Sequence, residues 1–360
     1  MGGTALVAAP GAVLAQAATT PMDSATAVAF GGFVDAYFAY DVNRPRDLDR
    51  AFTTQPARHN EFNVNLAFVE ATLAGDRVRG RLALQAGTSV QANYAGEPTT
   101  GAVSGPDVSR FIQEAVAGYR VAHSLWIDAG VFFSNMGMES WVSRDNPIYT
   151  RSLVADYSPY YSAGVKATWQ PTRRLSARLD VVNGWQNVSE TNADKAVGTR
   201  LDYAVSPQAA LNHYAYVGTE AGGRLRVFNG VGVKAALGPR AQLLGQLDGG
   251  AQERATGGGA ATWYGGTIVA RLQLRPALAL AARVERFDDR EQVVLVTAEG
   301  SPPFRANGAS VGLDATPAPG IAWRTELRGY WGGAAVFPDR SAAGRSTSGG
   351  VVVSSLALTF

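Results

Sequence analysis

Apolar and polar residues alternate along most of this chain in stretches of about ten residues, the length expected of a membrane-crossing strand. In YYSAGVKATWQ, Tyr161, Ala163, Val165, Ala167 and Trp169 share one parity, and Ser162, Gly164, Lys166, Thr168 and Gln170 take the other. In IAWRTELRGYW, Ile321, Trp323, Thr325, Leu327 and Trp331 oppose Arg324, Glu326 and Arg328. LWIDAGVFF separates Leu125, Ile127, Ala129, Val131 and Phe133 from Asp128 and Gly130. A period of two is the signature of a β-strand, whose successive side chains point to opposite faces. The chain ends in the same rhythm: in VVVSSLALTF, Val352, Leu356, Leu358 and Phe360 share a parity broken only by Ser354.

The pattern predicts about sixteen strands, at 28–41, 62–73, 77–88, 111–122, 125–134, 160–170, 174–185, 197–205, 208–218, 223–237, 240–250, 261–274, 277–288, 304–315, 320–331 and 350–360. Their connections alternate in length. AGDR, AHS, PTRR, SPQ, GPR, RPA and TPAPG are short; 42–61, 89–110, 135–159, 186–196, 251–260, 289–303 and 332–349 are long, with one short exception near Thr219–Gly222. A β-sandwich has no reason to lengthen every second loop. An outer-membrane barrel does, with short periplasmic turns and long extracellular loops. The fold class expected is all-β, a transmembrane antiparallel β-barrel. An even strand number puts both termini at the periplasmic end and requires the strands at 28–41 and 350–360 to pair, so that no edge faces lipid.

Aromatic placement supports the same reading. Two aromatics eight residues apart on one face lie roughly 20 Å apart along the membrane normal, close to the height of the apolar band between two girdles. Phe30 and Phe38, Phe111 and Tyr119, Tyr161 and Trp169, and Trp323 and Trp331 show this spacing. Strands are enriched in aromatics anyway, but four pairs on the face already read as apolar outweigh chance. The opposite face carries Arg79, Arg81, Arg120, Asp128, Lys166, Arg178, Asp180, Arg200, Asp202, Arg224, Arg226, Asp248, Arg283, Glu285, Arg324, Glu326 and Arg328, with Glu114, Lys234 and Asp314. A sealed core could not bury so many charges. A water-filled lumen can line itself with them, and sixteen strands leave room for one. Glu70 breaks the parity of Phe62, Val64, Leu66 and Phe68 and marks either the periplasmic rim or a bulge.

Composition narrows the chemistry. With 32 basic against 30 acidic residues and no basic cluster, nothing points to nucleic acid. Cysteine is absent, which excludes disulfides, thiolate metal sites and a cysteine nucleophile. No metal site and no cofactor is expected. A barrel hydrolase would need His beside Ser or Asp at the rim, and the three histidines, His59, His123 and His213, suggest no such set. An adhesin or structural barrel is the remaining rival to a channel. At the N-terminus, ALVAAPGAVLAQA ends in Ala15-Gln16-Ala17 and reads as a signal-peptide core and cleavage site without its basic start. Residues 1–17 are assigned to it, 18–27 to a periplasmic lead-in and 28–360 to one barrel.

A family resemblance rests on the stretch from Asp128 to Trp185. DAGVFFSNMGMESW, NPIYTRSL, SPYYSAGVKATW and LDVVNGW resemble the OmpL-like family of β-barrel porins. Gly130, Phe132, Gly137, Glu139, Tyr149, Thr150, Arg151, Ser152, Gly164 and Val165 occupy the family's places; Val131 stands where a Lys is expected. The resemblance implies a general outer-membrane channel for small hydrophilic solutes or ions. It also implies that the third long loop, 134–160, folds inward as a constriction carrying Glu139, Arg144, Asp145, Arg151 and Asp156, against the usual reading of loop charges as solvated. Partners expected are outer-membrane lipid and lipopolysaccharide, the barrel-assembly machinery that reads a terminal aromatic such as Phe360, and further copies in a homotrimer. The excess of Arg and Lys on the lumen face predicts weak anion selectivity, movable toward cations by changing Arg178 and Arg324 to Glu. Polar replacement of Lys166 or Glu326 is expected to be nearly neutral for stability.

Overall fold

A computed structural model describes residues 26–220, 222–297, 302–341 and 344–360. The expected leader, 1–17, and residues 18–25 of the lead-in lie outside that range. The alternating stretches form the strands β1 (Ala27–Asp41), β2 (Phe62–Ala74), β3 (Val78–Ala86), β4 (Ile112–Ala122), β5 (Leu125–Phe133), β6 (Tyr161–Trp169), β7 (Leu175–Val182) and β8 (Ala196–Ser206). They continue as β9 (Ala209–Glu220), β10 (Arg224–Ala236), β11 (Ala241–Glu253), β12 (Ala260–Arg275), β13 (Leu278–Asp289), β14 (Phe304–Ala318) and β15 (Ile321–Trp331). The last long loop carries a two-residue pair, β16 (Phe337–Pro338) and β17 (Arg345–Ser346), and β18 (Ser348–Thr359) ends the chain. β1–β15 and β18 close into one antiparallel barrel of sixteen strands.

Closure pairs β1 with β18 from Phe33 opposite Thr359 to Asp41 opposite Val351. Phe360 extends the ladder by one pair, its carbonyl accepting from the Gly32 N–H at 2.9 Å and its N–H donating to the Gly32 carbonyl at 3.2 Å. The terminal aromatic is therefore held by backbone on the first strand.

The outer face is apolar and banded. One hydrogen-bonded row runs from Tyr119 through Ile127, Ala167, Leu179, Thr199, Ala215, Asn229 and Gly249 to Tyr264. Its eight inter-strand steps, each ~4.8 Å on strands tilted by ~40°, rise roughly 25 Å, the height of a lipid-facing band. Phe30, Trp169, Tyr203 and Trp323 are exposed on the same side near the short turns, and Phe62, Tyr264 and Trp331 near the long loops. Phe38 packs at a tilt against Phe62 with centroids 5.0 Å apart. His213, whose facing the sequence left open, projects outward with Asn229.

Two expected girdle residues stand elsewhere. Tyr161 is fully buried, stacked on Tyr94 at 4.2 Å and donating to Glu97 at 2.8 Å, because the second long loop packs over that end of β6. In β4 the pairing with β3 skips Gln113, so this bulge puts Phe111 out of phase with Tyr119. A second bulge explains Glu70. β2 skips Asn65 in its pairing with β1, so Phe62 and Val64 face outward while Leu66, Phe68 and Glu70 turn inward. The second long loop also holds a helix, α1 (Thr88–Tyr94), where strand had been expected to run to residue 88.

Candidate functional site

The third long loop, L3, leaves the wall between β5 and β6 and crosses the lumen. Its departure point is marked by two glycines paired across the strands, Gly130 and Gly164. Gly130 has φ +134°, and a Cβ on either residue would collide with a backbone carbonyl, Ala115 O or Val181 O. The glycines of the family motif thus let the neighbouring strands approach where the loop begins.

Inside the barrel L3 is held by the wall's charged side chains. On β1, Asp35 accepts from Ser143 Oγ at 2.8 Å and from the Tyr149 hydroxyl at 3.3 Å, with Asn65 Nδ2 at 2.9 Å. On β15, Glu326 accepts from both the backbone N–H and the hydroxyl of Thr150, each at 2.7 Å. On β13, Glu285 accepts from the Leu153 N–H at 2.7 Å and pairs with Arg328 at 2.6 Å. The cations donate to loop carbonyls: Arg328 to Arg151 O at 2.7 Å, Arg324 to Ser143 O and Asn146 O, Arg283 to Thr150 O, and Arg271 to Pro147 O at 3.0 Å. From the other side Arg200 donates to Asn135 O and Gly137 O, both at 2.8 Å, and Arg178 to Phe133 O at 3.0 Å.

Arginine suits this work. It offers five donors in a planar fork, so one side chain can pair with a carboxylate and still reach a carbonyl. Arg324 bonds Asp314 at 2.9 Å while holding L3, Arg200 does the same with Asp202, and Arg178 pairs with Asp180 while holding the last carbonyl of β5. Arg283, Glu285, Glu326 and Arg328 are almost fully buried beneath the loop. Charges that dry are tolerable only when paired and hydrogen-bonded, and Arg283 meets this with Glu326 at 3.1 Å and Glu285 at 3.5 Å.

The loop's own charges divide into two sets. Glu139, Arg151 and Asp156 are buried within the fold. Glu139 accepts from the Ser152 N–H at 3.1 Å, and burial pushes its carboxyl above the usual range against the pull of Arg283. Arg151 lies 3.6 Å from Asp156 and 3.7 Å over the Tyr160 ring, which covers a guanidinium whose Nε and Nη1 have no hydrogen bond. Thr54 of the first long loop donates to Asp156 at 2.8 Å and so locks the two loops together. Arg144 and Asp145, 3.6 Å apart, keep 30% and 52% of their side-chain surface open.

Between L3 and the short turns lies a cavity of about 790 Å³. Its charged lining is Arg144, Arg200, Lys234, Arg271 and Arg324 against Glu139, Asp145 and Asp314. The other residues expected to line the pore lie apart from it. Arg79 with Asp128, and Arg81 with Glu70 and Glu114, form ion pairs on the opposite wall. Lys166 sits 4.6 Å over the Phe132 ring, and Arg120 is 4.0 Å from Asp76 near a short turn. Arg224 and Arg226 lie at the long-loop end beside a second cavity, and Asp248 binds the Tyr214 hydroxyl at 2.5 Å. Asp35 and Gln246, which accepts from Met138 N at 3.0 Å, were missed. Asp35 could have been found from its parity, opposite that of Phe30 and Phe38. The three histidines stand in separate regions: His59 buried in the first long loop, His123 in a short turn and His213 on the outer face.

No curated protein matches the sequence. Among solved structures, the outer membrane channel DcaP of Acinetobacter baumannii superposes with a TM-score of 0.62 at 13% identity, over 94% of this chain and 99% of that one. An anion-selective porin from Comamonas acidovorans gives 0.58 at 12% identity over 93% and 100%. OmpT of Vibrio cholerae in its trimer form gives 0.56 at 6% identity over 93% and 100%. These likenesses show the fold, a porin barrel. The model of the family described as "Putative beta-barrel porin-2, OmpL-like" matches residues 27–360, and the chain belongs to this OmpL-like porin family.

Proposed function

We propose that this outer-membrane porin is a passive, water-filled channel for small hydrophilic solutes, narrowed by L3 and weakly selective for anions. The family and the barrel carry the channel. The selectivity rests on one observation: five basic against three acidic side chains line the cavity beneath L3. Rings of basic groups lower the cost of anion entry, and charges more than about 10 Å apart are screened at 0.1 M salt. The preference should therefore fade as salt rises. The solved neighbour from Comamonas is itself named anion-selective, which agrees with this reading.

The surrounding partners follow from the location. Lipid and lipopolysaccharide face the banded exterior, and the assembly machinery would read Phe360. A homotrimer accords with the trimer form of OmpT.

Single-channel recording in a planar bilayer tests the proposal. Discrete conductance steps with a reversal potential on the anion side in a salt gradient are expected. A folded barrel that inserts without conducting would leave an adhesive or structural barrel as the better reading.

A further inference from the structure

We infer that the cavity beneath L3 contains a subsite for a small oxyanion, a carboxylate or a phosphate, centred on the ammonium of Lys234. The inference rests on the channel reading above and names the group that meets the solute.

The five cations around the cavity are unequal. Arg200 is occupied by Asp202 and two L3 carbonyls. Arg271 and Arg324 share Asp314, and both also hold L3 carbonyls. Arg144 is paired with Asp145, donates to Thr359 Oγ1 at 3.1 Å, and lies over the rings of Phe33 and Phe68. The donors of Arg200, Arg271 and Arg324 are committed to the fold, and the charge of Arg144 is matched by Asp145.

Lys234 is different. Among the described residues it makes no hydrogen bond and has no carboxylate within 4.0 Å. Its register partners on β9 and β11 are Ala210 and Leu244, whose side chains offer no acceptor. The charges around it are already engaged with one another or with L3: Asp202 by Arg200, Glu139 by Ser152 and Asp145 by Arg144. Ala235, Leu244 and Val269 add apolar surface to the same cavity wall. A half-buried ammonium with three unused donors, beside apolar surface and facing water, attracts an anion more strongly than an exposed one. Occupying it costs the barrel nothing, whereas recruiting any of the four arginines would release L3 or a paired carboxylate. The lumen thus divides its basic residues by chemistry: forked guanidiniums build the constriction, and a point-charge ammonium is left for the solute.

The test compares wild type with Lys234→Gln and Lys234→Arg, each first shown to be heat-modifiable and so folded. Two readouts are taken. The first is the reversal potential in a potassium chloride gradient. The second is protection of Lys234 from an amine-reactive reagent by inorganic phosphate or by acetate, read by mass spectrometry on the folded protein in detergent. Lys234→Gln should lower the anion-to-cation permeability ratio roughly threefold, and Lys234→Arg should keep it. Phosphate or acetate should protect Lys234 in the wild type; comparing the two ranks phosphate against carboxylate. An anion-selective wild type whose ratio is unchanged in Lys234→Gln, with no protection by either anion, overturns the subsite and leaves the channel reading standing. Protection without anion selectivity supports the subsite and overturns the selectivity.

Discussion

The two faces of β15 lie on one strand and obey different rules. Outward, Trp323, Leu327 and Trp331 are about half exposed to the membrane and need only an apolar surrounding. Inward, Arg324, Glu326 and Arg328 are buried, and each is bonded to L3. The outer residues are interchangeable with others of their kind. The inner ones are fitted to specific carbonyls and N–H groups of a loop more than 160 residues away. The difference teaches that lumen polarity in this barrel is mostly construction. Expecting polar replacements on that face to be nearly neutral treats it as hydrated lining; Lys166 lies over the Phe132 ring without a bond to L3, whereas Glu326 satisfies two groups of Thr150 in a dry site.

The largest effect should come from Arg328→Met. It leaves Glu285 buried without its closest cation, a change that costs about 3–5 kcal/mol where the site stays dry. Water can follow once L3 lifts, so the loss should surface as loop release: faster proteolysis within 134–160 and noisier, larger conductance. Unchanged proteolysis and conductance would mean that L3 does not depend on this wall. Next is Leu327→Arg, expected to cost roughly 2–4 kcal/mol at mid-membrane. Here the loss should appear in refolding titrations into lipid vesicles, with L3 intact. If Leu327→Arg loosened L3 while Arg328→Met lowered barrel stability, the two faces would be assigned the wrong way round.

Glu326→Gln is milder. An amide can still accept from one Thr150 donor, but it brings its own N–H toward the other, a loss of about 1–3 kcal/mol. Lys166→Gln, by contrast, should change stability by less than the scatter of the titration. The pair Arg178→Glu and Arg324→Glu also takes on a new meaning. Arg324 holds L3 backbone and Arg178 holds the last carbonyl of β5, where L3 begins, so reversing their charge should raise conductance and noise along with any shift in reversal potential. A clean shift at constant conductance would restore the simpler view of them as lining.

How far all this could be read from sequence follows from the same contrast. Parity alone located the strands, their closure and the outward band, because lipid acts on every outward side chain alike. Glu70 was the visible trace of the Asn65 bulge, but the skipped residue itself carries no composition signal. Helix α1 falls almost wholly in a stretch read as a long loop, 89–110, although Val90 and Tyr94, both buried, stand four apart as one helical face would require. The L3 contacts were illegible for a physical reason. On the L3 side they are mostly backbone N–H and carbonyl groups, which every residue has, so nothing in the loop's residue types names them. Which loop charges would face water was equally hidden: Arg144 and Arg151 are the same residue type in one loop, and only the fold buries one of them.

The smallest effect concerns a second comparison, between L3 and the first long loop. L3 is tied by buried guanidinium–carboxylate pairs and by arginines bonded to its backbone carbonyls. The first loop is tied partly by His59, whose Nδ1 accepts from the Asp41 N–H at 2.9 Å. That bond needs a neutral ring. Burial, more than the opposing pull of Asp41, holds the imidazole below its ordinary value of 6.5. The sign follows from linkage: the unfolded loop takes up the proton first, so the contribution is fully present above 6.5 and is lost as pH falls through the lower, folded value. Protease cleavage within 42–61 should therefore accelerate between pH 7 and pH 5. His59→Asn keeps an acceptor near the Nδ1 position without a titrating ring, and it should remove most of the dependence. An undiminished pH response in His59→Asn would show that the imidazole is not what loosens the loop.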